Sequence, residues 1–103
     1  MRFIKPMNLN EKSFIMDVRL PEEREIEELG LPHVNQDLET LNPPEFIRQN
    51  HIEKNDTINI LCSSGGRASQ AAEMFEKAGF SNVAVIIGGL VEAEYEGLPI
   101  IRH

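Results

Sequence analysis

The chain has 103 residues, 41% hydrophobic and 26% charged, which predicts one globular domain over 1–103 with a core large enough to fold alone. Its formal net charge is −7 and no basic cluster offsets it, which argues against nonspecific nucleic-acid binding. A single cysteine excludes an internal disulfide framework and any CxxC redox pair.

No apolar run approaches the about 20 residues that cross a bilayer. The start, "MRFIKPMNLNEK", lacks the apolar stretch and cleavage site of a signal peptide, so a soluble, cytoplasmic protein without membrane contact is expected. "FIMDV" (14–18) is a short apolar run with Asp17 near its end and predicts a buried strand. "PEEREIEEL" (21–29) predicts a helix, with Pro21 in its first position and Glu22 and Glu23 in the first turn, where carboxylates suit the helix dipole. Gly30 ends it. "HVNQ" (33–36) allows a short strand in a stretch, 30–42, that otherwise reads as loop. In "NPPEFIRQN" (42–50), Asn42 is a candidate cap and Pro43 a first helical residue.

"DTINILC" (56–62) is the clearest strand, bounded by polar turn residues. "RASQAAEMFEKAG" (67–79) follows as the clearest helix, with Ala68, Ala71, Ala72, Phe75 and Ala78 at helical spacing and Gly79 as its C-terminal cap. "NVAVII" (82–87) is a further strand, and "GGLVEAEYEGLPI" (88–100) gives a turn, a short helix and an exit. Strands alternating with helices at these lengths indicate an α/β fold: a central parallel sheet flanked by helices on both faces.

The one thiol stands in "ILCSSGGRASQ" (60–70), between a strand and a helix. Ligands of such sheets bind beyond the C-terminal ends of the strands, where this register puts Cys62. Gly65 and Gly66 are able to take positive φ and bring backbone N–H groups close to an anion. The helix start near Arg67 adds amide donors and a positive dipole end, and Arg67 adds a charge that can return toward the loop. Together these favour thiolate over thiol, and a covalent anionic product would be held by the same ring. By default a lone cysteine closing an apolar strand is a small buried hydrophobe. The glycines and arginine point the other way, because a core cysteine needs no anion-binding loop after it.

"CSSGGR" before a helix, "MDVRLPEE" (16–23) and "GGLVEAEYEGLP" (88–99) together resemble three signatures of single-domain rhodaneses, in order and over nearly the whole chain. The resemblance implies a rhodanese-like fold and a sulfurtransferase. Cys62 would accept sulfane sulfur as a persulfide, from thiosulfate or another persulfide donor, and pass it to a thiol, a protein acceptor or cyanide. It also implies that the amides of Ser63, Ser64, Gly65, Gly66 and Arg67 cradle the sulfur, and that no metal or organic cofactor takes part. Four residues separate Cys62 from Arg67, whereas related phosphatases have five, so a phosphatase or arsenate reductase is disfavoured. A noncatalytic rhodanese-like binding module remains the alternative.

The remaining polar residues receive plainer readings. Asp17 either orients the site from behind or holds its loop by hydrogen bonds to backbone. Arg19 and Glu23 resemble the family's structural ion pair, and the glutamates of 22–28 read most simply as a solvated helix face. Ser63 and Ser64 are donor-anion contacts or solvated hydroxyls. His33, His51 and His103 show no ligand spacing and read as surface residues. Several departures from the family pattern bear on activity. Ser63 stands where many active members carry a basic residue, which predicts modest use of thiosulfate. "LGLPHVNQDL" (29–38) matches the family's "GHIPGA"-like segment poorly, and Ala93 replaces an expected aromatic. The segment before "FIMDV" is short for the family's opening helix.

Overall fold

A computed structural model describes residues 1–64 and 66–103. The chain runs through β1 (Arg2–Ile4), β2 (Ile15–Asp17), α1 (Pro21–Ile26), β3 (Glu27–Leu29), β4 (Val34–Asn35), α2 (Pro43–Gln49) and β5 (Ile58–Leu61). It continues through α3 (Gly66–Lys77), β6 (Val83–Ile86), α4 (Gly89–Tyr95) and β7 (Ile100–Arg102). Five strands form a parallel sheet in the order β1-β6-β5-β2-β4. The fold is the expected α/β one, a central parallel sheet flanked by helices.

Alternation along the strands divides the core in two. Met16, Ile58, Ile60, Val83 and Val85 face one side, where they meet Phe46 of α2 and Ala68, Ala71, Ala72 and Phe75 of α3. Ile15, Leu61 and Ile86 face the other side, with Leu29 of β3 and Leu90 and Ala93 of α4. The alanines let α3 lie close to the sheet, and a chain of edge-to-face rings, Phe14–Phe46–Phe75–Phe80, fills the space beside it with centroids about 6 Å apart. Ala78 falls one residue beyond the end of α3 and is exposed, so the apolar stripe stops at Phe75. Gly79 has φ of 92°, as a left-handed C-terminal cap requires. The Asn42 side chain accepts from Glu45 N–H at 3.2 Å and caps α2 as expected.

The helix expected over 21–29 ends at Ile26. Glu27 is extended, with φ −158° and ψ 155°, and Glu27–Leu29 pairs antiparallel with β7, Glu27 opposite Arg102 and Leu29 opposite Ile100. Helix propensity of the glutamates yields here to a partner strand over 70 residues away that buries Leu29. The N-terminal segment holds no α-helix: Arg2–Ile4 adds an edge strand against β6, and Pro6–Asn8 makes one 3-10 turn.

Phe75 is fully buried at the centre of the ring chain. Its replacement by alanine is expected to cost about 3–5 kcal/mol, read from the midpoint of urea unfolding.

Candidate active site

Two strand-to-helix connections emerge at the same end of the parallel sheet, after β2 and after β5. Asp17 closes β2 and is fully buried, and Arg19, two residues on, is 2% exposed. An isolated charge could not sit there, and the two satisfy each other. The Arg19 guanidinium reaches Asp17 Oδ2 at 2.9 Å from Nη2 and both carboxylate oxygens at 3.1 Å from Nε. Asp17 Oδ1 also accepts the Arg19 backbone N–H at 2.9 Å, and Arg19 Nη2 continues to the Glu27 carbonyl at 3.0 Å. Of the two readings expected for it, Asp17 shows the contact of the second: it holds its loop by accepting a backbone N–H, and its other bonds go to the Arg19 guanidinium. The expected Arg19–Glu23 pair does not form.

Glu23 points instead across to the second connection. Its Oε1 accepts from Arg67 Nη1 at 2.5 Å and from the Leu20 backbone N–H at 3.0 Å. Its Oε2 accepts from Arg67 Nη2 at 2.9 Å and from Ser63 Oγ at 2.7 Å. Arg67 Nη2 lies 3.1 Å from Ser63 Oγ as well, so three residues close a ring across the two loops. The Arg67 guanidinium, followed by smaller hydrogen-bond contributions, holds the Glu23 carboxyl well down, at about 2 against an ordinary 4.5. Glu23 in turn raises Arg67. Glu23 is thus no part of a solvated helix face. It occupies the third position of α1, and the parallel register sets that helix start beside the loop after β5; the quoted "MDVRLPEE" carries the residue but not its partner.

Cys62 directly follows β5. It is 1% exposed and belongs to the core cluster of Ile58 and Ile60, four and two residues back on the same alternation. Its burial alone fits both an inert core thiol and a site reached through the loop. The loop is held from the opposite side: the Leu90 N–H donates to the Cys62 carbonyl at 2.9 Å and the Val91 N–H to the Ser63 carbonyl at 3.3 Å. This contact needs Gly89. Its φ is 61°, and a Cβ there would lie 2.2 Å from the Cys62 carbonyl oxygen and 2.6 Å from the Ser63 carbonyl.

Ser63 is partly buried and Ser64 exposed. Gly66 is the first residue of α3 and keeps negative φ, so positive φ is not its contribution; Gly65 lies outside the described residues. Beside the ring lies a cleft of about 170 Å³, with Arg19, Glu23 and Ser63 on its polar side and Ile26, Leu90 and Val91 on its apolar side. Ala93, in place of the expected aromatic, is fully buried on the sheet and packs α4 rather than lining this cleft. Of the histidines, His33 and His103 are not idle surface groups: both bond Glu28, at 3.1 and 2.8 Å, and hold its carboxyl below the usual range, His103 most.

A family model described as a rhodanese-like domain matches residues 3–95. Over 91 residues the chain is 33% identical to a chloroplastic thiosulfate sulfurtransferase 16 of Arabidopsis thaliana, covering 82% of this chain and 76% of that protein. It is 34% identical over 89 residues to the putative sulfur carrier protein YrkF of Bacillus subtilis, covering 85% of this chain but only 45% of that protein. Among solved structures, protein SSP1007 of Staphylococcus saprophyticus is similar with a TM-score of 0.74 and 28% identity, covering 96% of this chain and 99% of that one. An E. coli rhodanese with anions is similar with a TM-score of 0.69 and 27% identity, covering 88% and 99%.

Two outcomes follow from this geometry. Asp17→Ala leaves the Arg19 guanidinium buried without its anion and is expected to destabilise by about 3–5 kcal/mol, read by urea unfolding. Glu23, whose pKa is lowered on folding, contributes stability above its ordinary 4.5, and that contribution fades as pH falls from 4.5 toward about 2. The gap in unfolding midpoint between wild type and Glu23→Gln should therefore be largest near neutral pH and narrow across that acid range.

Proposed function

This chain belongs to the rhodanese-like domain family, and we propose that within it the protein is a sulfurtransferase or sulfur carrier that holds sulfane sulfur as a persulfide on Cys62. The observation that carries this reading is that Cys62 stands at the C-terminal end of the central strand β5, next to Ser63, whose hydroxyl lies 3.1 Å from Arg67 Nη2. A relative named as a thiosulfate sulfurtransferase and another named as a putative sulfur carrier support the reaction class.

The chemistry takes two half-reactions. The Cys62 thiolate attacks the outer sulfur of a donor; with thiosulfate, its S–S bond breaks and sulfite leaves with the electron pair. With a protonated persulfide, RSSH, the products are Cys62–S–SH and the thiolate RS⁻. In the second half, an acceptor thiolate or cyanide attacks the outer sulfur of the Cys62 persulfide, forms a new persulfide or thiocyanate, and returns the Cys62 thiolate. Separate halves imply ping-pong kinetics. The backbone amides at the start of α3 supply donors toward the anion, as expected for a cradle that needs no reorganisation during reaction.

A binding module without catalysis is the second reading, and the burial of Cys62 together with the engagement of Arg67 by Glu23 favours it. Intact-mass spectrometry after incubation with a sulfane donor separates the two. One added sulfur atom, lost in Cys62→Ser and discharged by cyanide, is the expected result for a sulfurtransferase. An unchanged mass with every donor would assign the chain to the binding class.

A further inference from the structure

Helix α4 carries an apolar stripe that its own packing does not use. Leu90 and Ala93 are buried against the sheet, whereas Val91 is 69% and Tyr95 86% exposed. Four residues apart, Val91 and Tyr95 share one face of the helix. Val91 also lines the cleft beside Ser63, together with Ile26, which is equally exposed. The stripe adjoins the thiol loop directly, because the Val91 N–H donates to the Ser63 carbonyl at 3.3 Å. Met7, 63% exposed, extends it at the far end, where its N–H donates to Glu96 Oε1 at 2.8 Å. Large apolar side chains left in water in one row, at the mouth of a cleft, mark a surface that something covers.

Charge says what covers it. α4 holds Glu92 and Glu94 and no basic residue, and Glu96 follows directly. On one flank of the stripe, Glu94 shares Arg102 with Glu27. On the other flank, Glu92 and Glu96 form no salt bridge among the described residues. The hydrogen bond to Glu96, then desolvation and the like charge, push the Glu92 carboxyl up against the pull of Lys5. Two carboxylates one turn apart work against each other, and a cation set between them relieves that repulsion.

Resting on the sulfur-carrier reading above, we propose that the Val91–Tyr95 face of α4 is a docking surface for a thiol-bearing protein segment in which basic residues flank apolar ones. The apolar residues of that segment cover Val91 and Tyr95, and its basic residues meet Glu92 and Glu96. Its thiol enters the cleft past Ile26. There the partner thiolate attacks the outer sulfur of Cys62–S–SH. The Cys62 S–S bond breaks, Cys62 leaves as thiolate with the electron pair, and the partner departs as R–S–SH. A second copy of this chain does not suit the face, because it would bring the same glutamates together.

The probe is a short synthetic peptide of leucine and lysine with one central cysteine, matched by the same peptide with glutamate in place of lysine. Binding to the full chain, free of added sulfur, is followed by chemical shifts of the backbone amides. The lysine peptide should shift the amides of Val91, Tyr95 and Glu96, and should bind less tightly as salt rises. It should bind about tenfold more weakly to Tyr95→Ser and about fivefold more weakly to the double variant Glu92→Gln, Glu96→Gln. The double variant Glu39→Gln, Glu53→Gln loses the same charge from exposed positions elsewhere and should bind like wild type. Equal weakening in that control, unchanged affinity in Tyr95→Ser, shifts centred elsewhere, or equal binding of the glutamate peptide overturns the inference. So does a wild type that self-associates and becomes monomeric in Tyr95→Ser, since the face would then join two copies. With sulfur loaded on Cys62, discharge to the lysine peptide should slow about tenfold in Tyr95→Ser, while discharge to cyanide stays within about twofold. Equal slowing with both acceptors overturns the inference. If wild type takes up no sulfur from any donor, the sulfur-carrier reading fails and takes the transfer step with it, while the chemical shifts still uphold or overturn the docking surface.

Discussion

The buried ion pair between Asp17 and Arg19 sets the course of the chain at the open end of the sheet. Two opposite charges that are almost wholly removed from water tolerate very little displacement, because separating them would leave either one desolvated. The pair also enlists backbone: the Arg19 N–H donates to Asp17, and Arg19 donates to the Glu27 carbonyl at the far end of α1. Both ends of the 19–27 segment are thereby fixed. Glu23 stands in the middle of that segment, so its reach to Arg67 and Ser63 follows from a salt bridge it does not touch.

The same end of the molecule is closed from the other side by α4. The carbonyls of Cys62 and Ser63 accept from the amides of Leu90 and Val91, so the loop after β5 is gripped between α1 and α4. Site chemistry in parallel α/β sheets gathers at the C-terminal ends of strands because the strand-to-helix loops converge there. Here the convergence joins a guanidinium and a carboxylate from segments about 40 residues apart, with Ser63, the residue after the buried thiol, bonded to both.

Much of this was legible in the residues. Apolar runs with polar boundaries located β2, β5 and β6, the alanine spacing located α3, and Asn42 with Pro43 marked the start of α2. These signals are local and self-consistent. The residues that misled did so through distant partners. "EIEEL" is helical by composition but ends in a strand because β7 offers it an antiparallel edge. Arg2–Ile4 becomes a strand only because β6 lies open beside it. The exchange of ion-pair partners has the same origin. Arg19 and Glu23 resemble the family's ion pair, but Arg19 precedes α1 and turns back to Asp17. Glu23 is then left to find a cation in another loop. The identity of the charged residues near the site could be read from sequence; their pairing depended on topology.

Gly89 carries a further consequence for anyone who would vary this scaffold. The obstacle at that position is peptide backbone, the carbonyls of Cys62 and Ser63, rather than a side chain that could be trimmed to compensate. No second substitution elsewhere can make room for a Cβ without moving the thiol itself. In a combinatorial library most positions around the cleft offer a choice of residues, whereas position 89 has an alphabet of one letter.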